Sequence, residues 1–174
     1  MLFWTPSQVY DMMELSDVRT AYDRIKDHIV KTPVMTSSTI DRMTGCTVYF
    51  KCENFQRVGA FKFRGAFNTV SQLTDEEREK GVIAHSSGNH AQALALAAQI
   101  LGVKATIVMP KNSPKVKVAA TKGYGAEIVF CENSTESRAA VANDLAESHG
   151  YTLVHPFNDH RIIAGLPINF SWAC

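Results

Sequence analysis

Residues 82–110 read VIAHSSGNHAQALALAAQILGVKATIVMP: a short apolar run, a polar turn, an alanine-rich stretch, a glycine and a second apolar run. The rhythm continues downstream. ATIVM (105–109) leads through PKNSP to a helix ending at Gly123, EIVF (127–130) leads through ENSTES to a helix ending near Gly150, and TLVH (152–155) follows. Short continuous apolar strands alternating with helices indicate an α/β fold, a parallel sheet with helices on both faces, joined by right-handed crossovers.

Upstream of this block, Ser16 precedes Val18, Ala21, Tyr22, Ile25 and Ile29 at helical spacing, and Thr32-Pro33 closes the pattern. TVYFKC (47–52) is β-branched and aromatic after Gly45 and reads as a strand. Phe63, Ala66, Phe67, Val70 and Leu73 define a helix from about Phe61, and Thr74 with Glu77 forms a capping box that starts another. This first half is expected to form a flanking or partner layer of the sheet.

The chain has 174 residues, enough for one good core, and its 45% hydrophobic and 20% charged content is that of a globular protein. A net charge of +1 gives no electrostatic reason to propose nucleic acid or an anionic membrane as partner. No apolar run reaches bilayer-spanning length, and the start MLFWTPSQVYDMMELSD lacks the basic and apolar regions of a secretory signal, so the cytoplasm is the expected compartment. Cys46, Cys52, Cys131 and Cys174 are scattered without a C-x-x-C pair, which argues against a structural zinc site or disulfide framework.

Two stretches carry candidate chemistry. In VGAFKFRGAFN (58–68), Lys62 falls in the first turn of the expected helix, where the macrodipole disfavours a cation, between Phe61 and Phe63, which add desolvation. Such a lysine suits a nucleophilic amine that condenses with a carbonyl; the same residues also suit an ordinary solvated lysine at a helix end. HSSGNH (85–90) lies at the carboxyl end of a strand, where open α/β sheets bind ligands. Gly88 permits a tight turn, Ser86, Ser87 and Asn89 offer short polar groups, and the following helix supplies free N–H groups for a carboxylate; a turn that uses Ser and Asn only as caps is the alternative.

Together these stretches resemble the fold-type II pyridoxal-phosphate enzymes, specifically the serine/threonine dehydratase (threonine ammonia-lyase) and serine racemase branch. The resemblance rests on KTPVMTSSTIDRMTG (31–45), VYFKCENFQRVGAFKFRGAFN (48–68), HSSGNHAQALALAA (85–98), ATIVMPKNSPKVKVAATKGYGAEIV (105–129) and HPFNDHRIIAG (155–165), in order along the chain. It implies a tryptophan-synthase-β-like fold. Residues 1–55 would belong to the large domain, 56–158 would form the small domain with Lys62 and the Ser-Ser-Gly-Asn-His loop, and 159–174 would return to an incomplete large domain. Lys62 would form the Schiff base with pyridoxal 5'-phosphate and act as base on one face, with Phe61 near the cofactor ring and Asn89 on its 3-oxygen. Ser86, Ser87, Gly88, Asn89 and His90 would bind the substrate carboxylate, and Ser87 would be the acid/base of the opposite face. Two bases on opposite faces invert a stereocentre; one base plus loss of a β-hydroxyl gives elimination. The implied reactions are dehydration and deamination of L-serine or L-threonine to a 2-oxo acid and ammonia, with possible serine racemisation, in a homodimer. Ser37, Ser38, Thr39, Gln92 and Tyr124 match positions that hold ATP in some members, although the Ser37–Thr39 hydroxyls also suit helix caps and Arg57 replaces a lysine of the racemase branch.

After IIAG the chain departs from the family pattern and reads LPINFSWAC (166–174). The glycine-rich phosphate loop and the acids that bind Mg2+ in part of the family have no counterpart; the only G-x-G, Gly123 to Gly125, reads as a helix stop and turn. A C-terminally truncated enzyme is therefore expected, with a catalytically inactive interaction or dimerisation module as the alternative function.

Overall fold

The computed structural model describes residues 13–166. Helix α1 (Leu15–Ile25) leads to strand β1 (Val34–Thr36), α2 (Ser38–Thr44), β2 (Tyr49–Lys51), two short 3-10 turns, then α3 (Lys62–Val70) and α4 (Asp75–Lys80). The repeating block follows as β3 (Val82–His85), α5 (Asn89–Leu101), β4 (Ala105–Pro110), α6 (Lys115–Gly123), β5 (Glu127–Cys131), α7 (Thr135–His149), β6 (Thr152–Leu153) and α8 (His160–Gly165). β1 and β2 pair antiparallel, and the other strands form a parallel sheet in the order β5-β4-β3-β6. Among the described residues no helix is long and apolar enough to cross a membrane.

The continuous apolar strands are the central ones. Every residue of β4 is buried, as are Val82, Ile83 and Ala84 of β3, because helices cover both faces of the sheet. Alternate residues feed separate cores. Val82, Ala84, Ile107 and Met109 join the core with α5, α3 and α1, whereas Ile83 and Val108 meet Cys131, Ala142, Val141 and Leu145 on the α7 side.

The structure moves several expected boundaries. α1 is capped by Glu14, in a box with Asp17, two residues before Ser16, and it ends at Ile25 well short of Thr32-Pro33. β6 keeps only two of the four residues of TLVH. The Thr74–Glu77 capping box forms as expected, with reciprocal bonds of 3.2 and 2.8 Å, and Gly125, at φ +81°, makes the expected turn after α6. The amino-terminal stretch read for a signal and most of the atypical tail lie outside the described residues.

α3 is the most enclosed helix. Residues Phe63 through Val70 are all buried against α1, α5 and α8. Its polar groups are consequently all partnered. Arg64, 2% exposed, binds Glu53 through two 2.9 Å bonds and donates to the Val30 carbonyl; Asn68 accepts from Arg24 and donates to the Arg161 carbonyl, both at 2.7 Å. Burial raises the Glu53 carboxyl, but hydrogen bonds from Arg64 and Thr32 and the nearby cations outweigh it and hold it below its ordinary range.

The α3–α8 crossing is made by two glycines. A Cβ on Gly65 would stand 2.7 Å from the Ile162 carbonyl, and one on Gly165 would stand 2.8 Å from the Gly65 Cα. Backbone atoms cannot swing aside as a flexible side chain can, so either Gly65→Ala or Gly165→Ala must push the helices apart. Each substitution is expected to lower unfolding free energy by about 1–3 kcal/mol in urea titrations, with the pair less than additive because both strain one contact.

Candidate active site

The sheet order reverses between β3 and β6. β3, β4 and β5 advance in one direction, with α5 on one face; the chain then crosses by α7 on the other face and lays β6 against the opposite edge of β3. The carboxyl ends of β3 and β6 therefore bound the crevice in which doubly wound sheets take ligands.

The turn after β3 enters this crevice. Ser86 N–H donates to the Val108 carbonyl (3.1 Å), and Ser86 Oγ accepts from Gly88 N–H (3.3 Å). Gly88 is the N-cap of α5 and no side chain caps that helix, so the cap-only reading of this turn is not realised. Nor does Gly88 need a left-handed backbone, its φ being −128°. A Cβ there would meet nothing within 4 Å, so the glycine leaves open space beside the free N–H groups of a thirteen-residue helix.

Lys62 reaches the same crevice from α3, where it is the first helical residue. Its Nζ donates to the Pro156 carbonyl (2.6 Å), just past β6, and lies 5.2 Å from the centre of the half-exposed Phe61 ring. Burial lowers the amine from its ordinary value. The lead-in to α3 is held by the buried Gln56, which exchanges hydrogen bonds with the Val30 backbone (3.0 and 2.9 Å), and contains Val58 at φ +56°, a strained value for a β-branched residue.

Three histidines surround the crevice floor. His90, 3% exposed, bonds through Nε2 to the Val154 carbonyl (3.0 Å), and its Nδ1 is buried with no partner. A carbonyl only accepts, so the proton sits on Nε2. Burial pushes His90 to about 4, the Val154 bond opposing the shift and Lys62, His155 and His85 adding to it. His155 Nδ1 accepts from the N–H groups of Phe157 (3.2 Å) and Asn158 (2.8 Å). His85, edge-on to His155 at 6.3 Å, is lowered by burial first, then by His155 and Arg138.

The structure thus brings Lys62, the Ser86–Asn89 turn and His90 to one switch point. The His90 side chain is buried and bonds to the Val154 carbonyl past β6. The residues matched to ATP sites are distributed differently. Ser37 caps α2 by accepting from Ile40 N–H (3.4 Å), Ser38 begins that helix, and Thr39 accepts from Arg42 (3.4 Å), whereas Gln92 and Tyr124 lie on and after the packed helices α5 and α6. Arg57 donates to the His28 carbonyl (2.7 Å). Val154, His155 and Pro156 lie at this crevice; HPFNDHRIIAG begins at His155 and Pro156, yet the resemblance gives none of the three a role.

A sequence model of the family described as "Pyridoxal-phosphate dependent enzyme" matches residues 25–167, and the chain belongs to that family. It is 56% identical over 149 residues to an L-threo-3-hydroxyaspartate ammonia-lyase of Saccharomyces cerevisiae, a match that covers 86% of this chain and 46% of that enzyme. Among solved structures, maize serine racemase superposes with TM-score 0.85 at 47% identity, over 87% of this chain and 46% of that one. A threonine deaminase from T.th. superposes at 0.83 with 41% identity, over 90% and 49%. The chain spans about half the length of these relatives, whose family members are pyridoxal-phosphate-dependent ammonia-lyases and racemases.

His90 makes the fold acid-sensitive above the carboxylate range. An unfolded imidazole takes its proton near 6.5 and the folded one only near 4. Stability is therefore full above about pH 6.5, declines as pH falls through that window by roughly 3 kcal/mol at most, and levels below it. In urea titrations from pH 7.5 to 4, the wild type is expected to lose this stability as pH falls, while His90→Gln, which has no titratable ring, is not.

Proposed function

We propose that this chain supplies the reactive lysine and the carboxylate-binding turn of a pyridoxal-phosphate-dependent enzyme that eliminates water from a β-hydroxy-α-amino acid, releasing a 2-oxo acid and ammonia. The observation that carries this reading is the meeting of a desolvated Lys62 amine and an open, uncapped α5 N-terminus at one switch point. L-serine and L-threonine are the substrates the sequence motifs favour. The yeast relative named for 3-hydroxyaspartate adds a third member of the same chemical class.

The residues fit the cofactor's aldehyde end and a substrate carboxylate. Lys62 would hold the cofactor through its amine, with Phe61 and Asn89 beside it. The Gly123–Gly125 pair is consumed by the turn after α6 and provides no phosphate cup. Pyridoxal phosphate, when bound, supplies the electron sink that stabilises negative charge at the α-carbon. Ser86, Asn89 and the N–H groups at the start of α5 orient the carboxylate. Burial lowers the Lys62 amine from its ordinary value, which favours the neutral form that can take a proton at Nζ. Ser87, on the same turn, is the candidate to deliver a proton from the opposite face, which would turn the outcome toward racemisation. The family resemblance extends this reading to a homodimer, and to ATP and Mg2+ as some members use them.

A second reading, a non-catalytic interaction module, is favoured by the apolar side chains displayed around β1, α2 and β2: Val34, Met35, Met43, Tyr49 and Phe50 are all exposed. Visible absorbance separates the two. On adding pyridoxal phosphate, the catalytic reading expects a band that Lys62→Ala abolishes and L-serine shifts; a folded chain with no such band supports the module. Gly88→Ala is a finer check, expected to lower the melting temperature modestly, because Ala is a poorer N-cap, while weakening substrate-induced shifts, because its methyl fills the open space beside the helix start.

A further inference from the structure

We infer that His90 and His155 are positioning residues that set the place of the Lys62 amine by holding the Val154–Asn158 turn. This rests on the reading of Lys62 as the cofactor lysine and assigns the buried histidine a role other than carboxylate binding.

The argument begins where β6 stops. Its pairing with β3 covers Val82↔Thr152 and Ile83↔Leu153, and Val154 N–H still donates to the Ile83 carbonyl (2.8 Å). Beyond that point the chain leaves the sheet: the ladder donors are Thr152 and Val154, and the next donor position is Pro156, which has no N–H. Side chains take over from the ladder. His90 Nε2 holds the Val154 carbonyl from α5, and His155 Nδ1 gathers the N–H groups of Phe157 and Asn158. Between these two anchors lies the Pro156 carbonyl, which accepts from Lys62 Nζ at 2.6 Å.

These bonds fix where the ring protons lie: His90 carries one on Nε2, and His155 leaves Nδ1 bare. His90 donates to a carbonyl, and His155 needs a bare Nδ1 to accept. Burial is the main effect that disfavours protonation of His90, and the titratable groups facing it, Lys62, His155 and His85, act in the same direction. The ring therefore keeps its donor on Nε2 and its buried Nδ1 bare. The lysine is the only partner in this chain of contacts that must move: to engage a carbonyl ligand its amine has to leave Pro156 while the acceptor stays in place.

The test uses the full chain with pyridoxal phosphate, trapping of the amine–aldehyde adduct by borohydride, and peptide mapping of the labelled lysines, alongside melting temperatures. In the wild type Lys62 is expected to label ahead of the other lysines. His90→Leu is expected to lower the Lys62 labelling rate about fivefold, the equivalent of one ordinary hydrogen bond, and His90→Gln, which keeps a donor, should restore it to within about twofold. Should His90→Leu fail to fold, His155→Phe removes only the acceptor from a partly exposed ring and carries the same expectation. Folded His90→Leu or His155→Phe protein that labels Lys62 at the wild-type rate overturns the inference and leaves the lysine assignment standing. Absence of preferential Lys62 labelling in the wild type overturns both.

Discussion

The enclosure of α3 is the constraint on which the other features rest. Eight successive helical residues are removed from solvent, which no amphipathic pattern achieves; it requires neighbours on every side. α1, α5 and α8 supply them, and the closest approach is the contact of Gly65 with Gly165, where two backbones meet with no side chain between them. Enclosure also dictates the chemistry of the polar residues inside. Arg64 is tolerable because Glu53 meets it in a bidentate pair and the Val30 carbonyl accepts a further hydrogen bond; unpaired, either charge would be strongly destabilising.

A helix held this firmly makes a fixed platform for its first residue. Lys62 sits where α3 emerges from the core, its stem partly buried and its amine at the crevice, so burial both places the amine and weakens its hold on a proton. The opposing wall is placed by sheet topology. Because the strand order reverses between β3 and β6, the turns after these strands diverge and leave a gap, which the α5 N-terminus faces with unpaired N–H groups. Two independent devices, helix packing and strand order, converge on one position.

Local conflicts cluster there as well. Val58 adopts a left-handed backbone, His90 keeps an unpartnered buried nitrogen, and β6 is cut short. Each costs stability, and each lies next to the lysine, the turn or the segment that receives the amine. Sites that hold reactive groups in place commonly carry such costs while the rest of the fold compensates.

The alternation of apolar strands with alanine-rich helices was enough to settle the parallel sheet, since burial on both faces demands uninterrupted apolar runs and little else does. The Thr74 capping box and the turn at Gly125 were legible for the same reason: a local pattern answers to local stereochemistry. Lys62 and the Ser86–Asn89 turn could be singled out as candidates because the chemistry of each depends on immediate neighbours. What the sequence could not express is contact between distant residues. That Gly65 exists to admit Gly165, that His90 turns inward to Val154, and that Pro156 receives the amine are decisions of tertiary structure. They depend on strand order and helix crossing, which bring together residues more than sixty positions apart along the chain.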